Sequence, residues 1–162
     1  SEMYERPKNE KWNYQQIMLG FNYRMTDMQA ALGISQLRKI NKFIDLKREI
    51  AREYEKNLKD TKGLKLVNED KYEKHVYWMI GVLLDKNYKM KKNKIIKKLY
   101  SKGIDTRDFF YPINRQPFLI KEKRLKNIKC PVSYNLWKNG FYLPSSLNLT
   151  KKQIKEICGM LK

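Results

Sequence analysis

Cysteine and histidine are almost absent from this chain: two cysteines, Cys130 and Cys158, and one histidine, His75, occur in 162 residues. That scarcity leaves no Cys/His cluster with zinc spacing and no disulfide framework, so no metal is expected and a reducing compartment is the default. Both thiols read as packing residues, and His75 as a hydrogen-bonded structural histidine. Long apolar runs are missing too. No stretch of 18 apolar residues exists and residues 1–12 hold no apolar signal core, so the expectation is a soluble cytoplasmic protein, with no membrane partner. Acidic residues are few: 17 Asp and Glu face 36 Lys and Arg, a formal net charge of +19. Lysine supplies 28 of those positive residues. Its clusters at 86–98, 121–129 and 151–155 are scattered rather than gathered in one stripe. No finger or knuckle spacing, no aromatic pair in a glycine-rich strand and no helix-turn-helix pattern accompanies them. The charge therefore reads as a solvated surface, and a basic nucleic-acid-binding module stands as an alternative from another class.

What is present suffices for a core. With 41% hydrophobic residues, the chain can bury enough surface to escape wholesale disorder, and its length sets the expectation at one domain or one domain plus an appendage. Residues 1–25 show neither helical nor strand periodicity and form an irregular lead-in. Thr26-Asp27-Met28-Gln29 then has the Thr-x-x-Gln form of a capping box. Apolar side chains recur at near-helical spacing from Met28 through Leu58, until Lys62-Gly63 stops them. The spacing predicts a long connecting helix, or two helices meeting near 37–41, within 26–60. That length exceeds what a small globule wraps, which leaves Met28, Ala31, Leu32 and Ser35 for something outside the chain.

Residues 61–162 read as a small α+β domain. Strands are predicted at 64–67, 76–84, 105–111 and 141–143. A helix over 90–102 ends at Gly103, a loop fills 112–129, and Pro131 opens a short helix that Asn139-Gly140 ends. Thr150 caps a closing helix over 151–161. The predicted architecture is a small sheet with helices on one face, preceded by the long helix.

Three ordered segments carry a resemblance. The first is Gly20-Phe21-Asn22-Tyr23-Arg24-Met25-Thr26-Asp27-Met28-Gln29-Ala30-Ala31-Leu32-Gly33. The second is Gly103-Ile104-Asp105-Thr106-Arg107-Asp108-Phe109-Phe110-Tyr111-Pro112. The third joins Cys130-Pro131-Val132-Ser133 to Gly140-Phe141-Tyr142-Leu143-Pro144 and the helix after Leu149-Thr150. Together they resemble the C-terminal part of the DegT/DnrJ/EryC1/StrS family of pyridoxal-phosphate-dependent nucleotide-sugar aminotransferases. Tyr77-Trp78-Met79 and the run from Arg107 to Pro112 look most like its perosamine synthase branch, which aminates a GDP-linked 4-keto-6-deoxyhexose.

The resemblance implies the small C-terminal domain of a fold-type I enzyme, α/β by family class, with pyridoxal 5'-phosphate as cofactor and glutamate as amino donor. It also implies a homodimer whose cofactor site lies at the subunit interface. The family's large N-terminal domain, with its Schiff-base lysine, has no counterpart here, so this chain alone is expected to hold no catalytic residue and to be inactive. A non-catalytic assembly domain and a dehydratase of the same family are the readings that compete with an aminotransferase. Ser133-Tyr134-Asn135-Leu136-Trp137-Lys138 copies the Ser-to-Lys spacing of the Schiff-base segment but sits in the third block, and Lys138 reads as surface.

Chemically, such an enzyme needs clamps for a phosphorylated cofactor and an anionic nucleotide sugar. The resemblance carries cofactor-phosphate binding to Asn22 and, beside it, Arg24, whose guanidinium suits bidentate anion binding. On position alone Asn22 could make a turn and Arg24 pair with Asp27. Substrate contacts are carried over to Tyr23, Arg107, Phe109, Tyr111 and Asn114, against a competing reading in which Arg107 is a surface ion-pair partner and the aromatics are core. Asn114 and Gln16 stand where many relatives have histidine, which removes two potential proton or phosphate contacts.

Overall fold

The computed structural model describes residues 21, 23–121 and 128–162. The chain divides into two compact units, residues 1–37 and 38–162. In the first, α1 (Asp27–Leu37) starts where the capping box predicts: the Thr26 N–H donates to Gln29 Oε1 at 3.0 Å and the Gln29 N–H to Thr26 Oγ1 at 3.3 Å. No residue of α1 is buried, and Met28 and Leu32 stand exposed.

The second unit opens with α2 (Ile40–Leu58), after a turn at Arg38 and Lys39 interrupts the helical run. Its sheet has the order β1-β2-β4-β3, antiparallel throughout, from β1 (Leu64–Leu66), β2 (Ile80–Leu84), β3 (Arg107–Asp108) and β4 (Gly140–Leu143). Helices α3 (Lys92–Tyr100), α4 (Pro117–Lys121), α5 (Pro131–Asn139) and α6 (Lys151–Leu161) complete it. The register sets Leu64 opposite Leu84, Leu66 opposite Val82, Phe141 opposite Val82 and Leu143 opposite Ile80. These residues share one face, because side chains alternate along a strand. Against that face lie Ile50, Ala51, Tyr54 and Leu58 of α2, Ile95 and Leu99 of α3, and Ile154, Ile157, Cys158 and Leu161 of α6. The spacings i, i+4, i+8 and i, i+3, i+4, i+7 are the helical periods that gather one stripe. Thr150 and Gln153 form a second full capping box at the start of α6.

The opposite face is shaped by two glycines. Gly81 stands across from Tyr142, and Gly140 across from Leu83. A Cβ on Gly140 would lie 2.4 Å from the Phe109 ring, and one on Gly81 would lie 3.2 Å from it. The Phe109 ring therefore occupies the hollow that the missing side chains leave, with the Tyr142 ring 4.5 Å away.

Three elements differ from the sequence expectation. The strand expected over 76–84 is limited to Ile80–Leu84, because Tyr77 has φ +46 and its N–H donates to His75 Nδ1 at 2.9 Å. That kink is held by a clip to α2. Arg48 binds Glu69 with two hydrogen bonds, 2.8 and 2.6 Å, and also donates to the His75 carbonyl at 2.7 Å. The strand expected over 105–111 is paired only at Arg107 and Asp108, since Phe109 turns into the glycine hollow and Pro112 has no N–H to offer a ladder. The expected loop over 112–129 contains a 3₁₀ turn at Ile113–Arg115 and α4, opened by Pro117 at its first position.

The clip sets an acid-dependent prediction. Hydrogen bonds from Arg48, then from the His75 backbone N–H, pull the Glu69 pKa down to about 2 from 4.5. A depressed folded-state pKa contributes stability that is present above pH 4.5 and lost as pH falls toward 2. Glu69→Gln is expected to flatten the melting temperature between those two pH values, as thermal melts at stepped pH would read. An unchanged acid slope would show that the clip carries none of it.

Candidate functional site

At the Ile80 end of β2 and the Leu143 end of β4, which the register places side by side, a cleft of about 400 Å³ opens. Arg107, Thr106, Lys47, Trp78, Ser145 and Ser146 are among its walls. Lys47 reaches in from α2. Its ammonium donates to the Trp78 carbonyl at 3.2 Å, to the Ser145 hydroxyl at 3.2 Å and to the Ser145 carbonyl. Those three acceptors use all three of its protons. Burial lowers the Lys47 pKa, and no carboxylate forms an ion pair with it among the described residues. Ser145 in turn donates to the Trp78 carbonyl at 3.3 Å, which closes the cluster.

Arg107 extends from the edge strand β3, opposite Tyr142. No side-chain partner engages it among the described residues. The one carboxylate among the described residues of the cleft, Asp105, accepts the Thr106 N–H at 2.9 Å. The walls thus offer a guanidinium, a fixed ammonium and the hydroxyls of Thr106 and Ser146. This is chemistry for holding a carboxylate or a phosphate. No group of three potential metal ligands occurs among the described residues.

The other residues singled out from the sequence lie elsewhere. Phe109 fills the glycine hollow. Tyr111 packs edge-on against Trp137, ring centres 4.8 Å apart. Asn114 donates through Nδ2 to the Ile128 carbonyl at 2.9 Å and so ties the ends of the segment between them. These three shape the chain that follows Arg107 and do not line its cleft. In the first unit Tyr23 and Arg24 are exposed just before α1, and the Tyr23 ring lies 5.9 Å from that of Phe21. Asn22 and Gln16 lie outside the described residues. Lys138 is exposed on α5 and Cys158 is buried, its thiol pushed up to about 11 by that burial.

The description "DegT/DnrJ/EryC1/StrS aminotransferase family" belongs to a family model that matches residues 4–162. The chain belongs to this family. GDP-perosamine synthase of Vibrio cholerae is 32% identical over 149 residues, 92% of this chain and 40% of that protein. GDP-perosamine synthase of Escherichia coli O157:H7 is 35% identical over 145 residues, 90% and 38% of the two. This DegT-family chain therefore spans about two fifths of the length of those relatives. Among solved structures, the Helicobacter pylori aminotransferase PseC aligns over 93% of this chain and 41% of its own, with TM-score 0.79 at 20% identity. An E. coli GDP-4-keto-6-deoxy-D-mannose-3-dehydratase with bound hydrated PLP aligns over 92% and 38%, with TM-score 0.73 at 24% identity. Those two likenesses are of fold, that of an α+β piece of a fold-type I enzyme.

Within the DegT-family chain, sequence reasoning reached Arg107 but missed Lys47 and Ser145. A signal for Lys47 was there. Lys47, Ile50, Ala51, Tyr54 and Leu58 stand at i, i+3, i+4, i+7 and i+11, so a lysine heads the buried stripe of α2. A cation on a core stripe must find acceptors at the rim of the core, and that rim is the cleft.

Proposed function

We propose that this chain is the C-terminal part of a pyridoxal-phosphate-dependent sugar aminotransferase. The reaction moves an amino group from glutamate to a 4-keto-6-deoxy sugar carried on GDP, for polysaccharide synthesis in the cytoplasm. The observation that carries this reading is the 32 and 35% identity to two GDP-perosamine synthases over nine tenths of the chain. In this reading a lysine-bearing large domain supplies the rest of the protein, and two copies share each cofactor site.

The residues present fit such a cofactor's phosphate. Arg24, an exposed residue, carries a guanidinium able to form two charge-assisted bonds to one anion, and Asn22, two residues earlier in the sequence, adds a carboxamide donor. When bound, the cofactor supplies the carbon–nitrogen chemistry. Asn22 and Arg24 hold its phosphate end. In the second unit Arg107 holds an anionic group of donor or substrate, Lys47 keeps the wall behind it positively charged, and the Phe109 to Asn114 segment fixes the loop. Tyr23 contributes a ring to the substrate side.

The 162-residue chain, given cofactor, glutamate and nucleotide sugar, is expected to show no transamination and no borohydride-bleachable cofactor absorbance attached to a lysine. Combined with the lysine-bearing remainder of the protein, it should aminate the sugar. Arg107→Met in that assembly should weaken binding of the anionic ligand about 10- to 100-fold, the loss of a charge-assisted pair, read as KM. Turnover by the chain alone would overturn the reading, and a 3-deoxy product from the assembly would replace it by a dehydratase.

A further inference from the structure

A second cavity lies at the other end of the sheet. Lys65, Leu83 and Gly140 stand in register across β1, β2 and β4, three residues or roughly 10 Å along β2 from the Arg107 end. Beside them a groove of about 940 Å³ runs between residues 85–93, the turn and the start of α3, and α5. Six lysines line it among the described residues. Two of them are engaged inside the fold: Lys92 pairs with Asp108 at 3.0 Å and Lys89 donates to the Lys162 carbonyl. Lys65, Lys86, Lys91 and Lys138 have no side-chain partner among the described residues and are exposed. The one carboxylate among the described residues of the groove, Asp85, already accepts the Asn87 N–H at 2.7 Å. The groove also receives the start of α3, whose cap residue Lys91 supplies no side-chain acceptor and whose first turn holds no acid. Four lysines without a side-chain partner and a helix start that no side chain caps thus line one concavity, and the mutual repulsion of such charges is relieved by an anion.

We propose that this groove binds a small polyphosphate, a di- or triphosphate group either free or carried on a nucleoside. No arginine lines it among the described residues. A planar carboxylate is best held by the guanidinium fork, whereas separate ammonium point charges suit the several tetrahedral centres of a polyphosphate. Its volume lies at the upper end of small-molecule sites. The one aromatic residue among the described residues of its lining, Tyr88, is buried with its hydroxyl donated to the Leu161 carbonyl at 2.7 Å. Among the described residues the groove therefore has no stacking platform of the kind single-stranded nucleic acid uses. The site is independent of the catalytic reading and of Arg107.

The test is calorimetric titration of inorganic triphosphate and, separately, GDP into the 162-residue chain at about 0.15 M salt, where weak surface attraction is screened. Saturable one-site binding is expected, with amide NMR shifts concentrated at 91–93. Lys65→Glu with Lys138→Glu should weaken it at least tenfold. Lys152→Glu with Lys155→Glu, the same charge change on α6, should leave it within twofold. Equal affinity for both ligands assigns recognition to the phosphates, and tighter GDP binding assigns part of it to the nucleoside. No saturable binding, no shifts at 91–93, or equal weakening by the α6 control overturns the proposal. So does a response to single-stranded oligonucleotide with none to triphosphate.

Discussion

Alanine at Gly63 is expected to destabilise the protein by more than about 3 kcal/mol, while alanine at Gly103 costs only about 1 kcal/mol. The backbones are alike: φ is +77 at Gly63 and +73 at Gly103, the left-handed region where a Cβ is strained. The surroundings differ. A Cβ on Gly103 meets nothing within 4 Å, but one on Gly63 would lie 2.1 Å from the Tyr88 nitrogen and 2.5 Å from the Asn87 carbonyl carbon. Those are backbone atoms, so no rotamer change relieves the overlap. The 85–88 turn is also anchored on both sides. The Asp85 N–H donates to the Gly63 carbonyl at 2.8 Å, and the Tyr88 hydroxyl holds the end of α6. Moving the turn away costs both anchors and the adjoining Leu64–Leu84 pair. Against a total of about 5–15 kcal/mol for a domain, such a loss leaves a substantial unfolded population. Urea melts of the two variants decide it: equal shifts in midpoint at constant slope would mean the Gly63 approach is not tight.

The elements that could be read from the sequence are those whose signals are local. Both Thr-x-x-Gln boxes start helices, Gly103 and Gly140 follow the ends of α3 and α5, and the i, i+4 apolar spacing of Ile95 and Leu99 names the buried face of α3. The ordered family motifs lay in the sequence for the same reason. What escaped depends on partners far along the chain. Val76 to Met79 have β-favouring side chains, yet Arg48, some 27 residues earlier, binds the His75 carbonyl and holds the segment out of the sheet. Phe109 sits in a motif and was a substrate candidate, and its position is set by two glycines 28 and 31 residues away on different strands. Lys47 could be recognised as out of place on its stripe, but not which acceptors it would find, because Trp78 and Ser145 reach it only once β2 and β4 pair.

Tyr54 joins that core to the cleft, and its removal is the second large effect expected. The side chain is wholly buried on α2, and its hydroxyl donates to the Pro144 carbonyl at 2.9 Å, one residue before the serine that holds Lys47. Tyr54→Ala deletes a full aromatic from the core and should cost about 3–5 kcal/mol. Tyr54→Phe keeps the ring but leaves a carbonyl without its donor, for about 1–3 kcal/mol. Burial, the larger cause, raises the Tyr54 pKa well above its usual value. An acid whose folded pKa is raised contributes stability that is full below its unfolded value, about 10, and lost as pH climbs beyond it. The wild-type protein should therefore lose stability above about pH 10 by a step that Tyr54→Phe lacks, so the two melting curves converge as pH rises. If the gap stays constant from pH 8 to 11, the hydroxyl is not buried as described. The same loss should loosen residues 144–146, and with them the acceptors that hold the Lys47 ammonium in the cleft that Arg107 also lines. A weaker hold on the anionic ligand in Tyr54→Phe, with the fold intact at neutral pH, would follow from that connection and from no local change at the cleft itself.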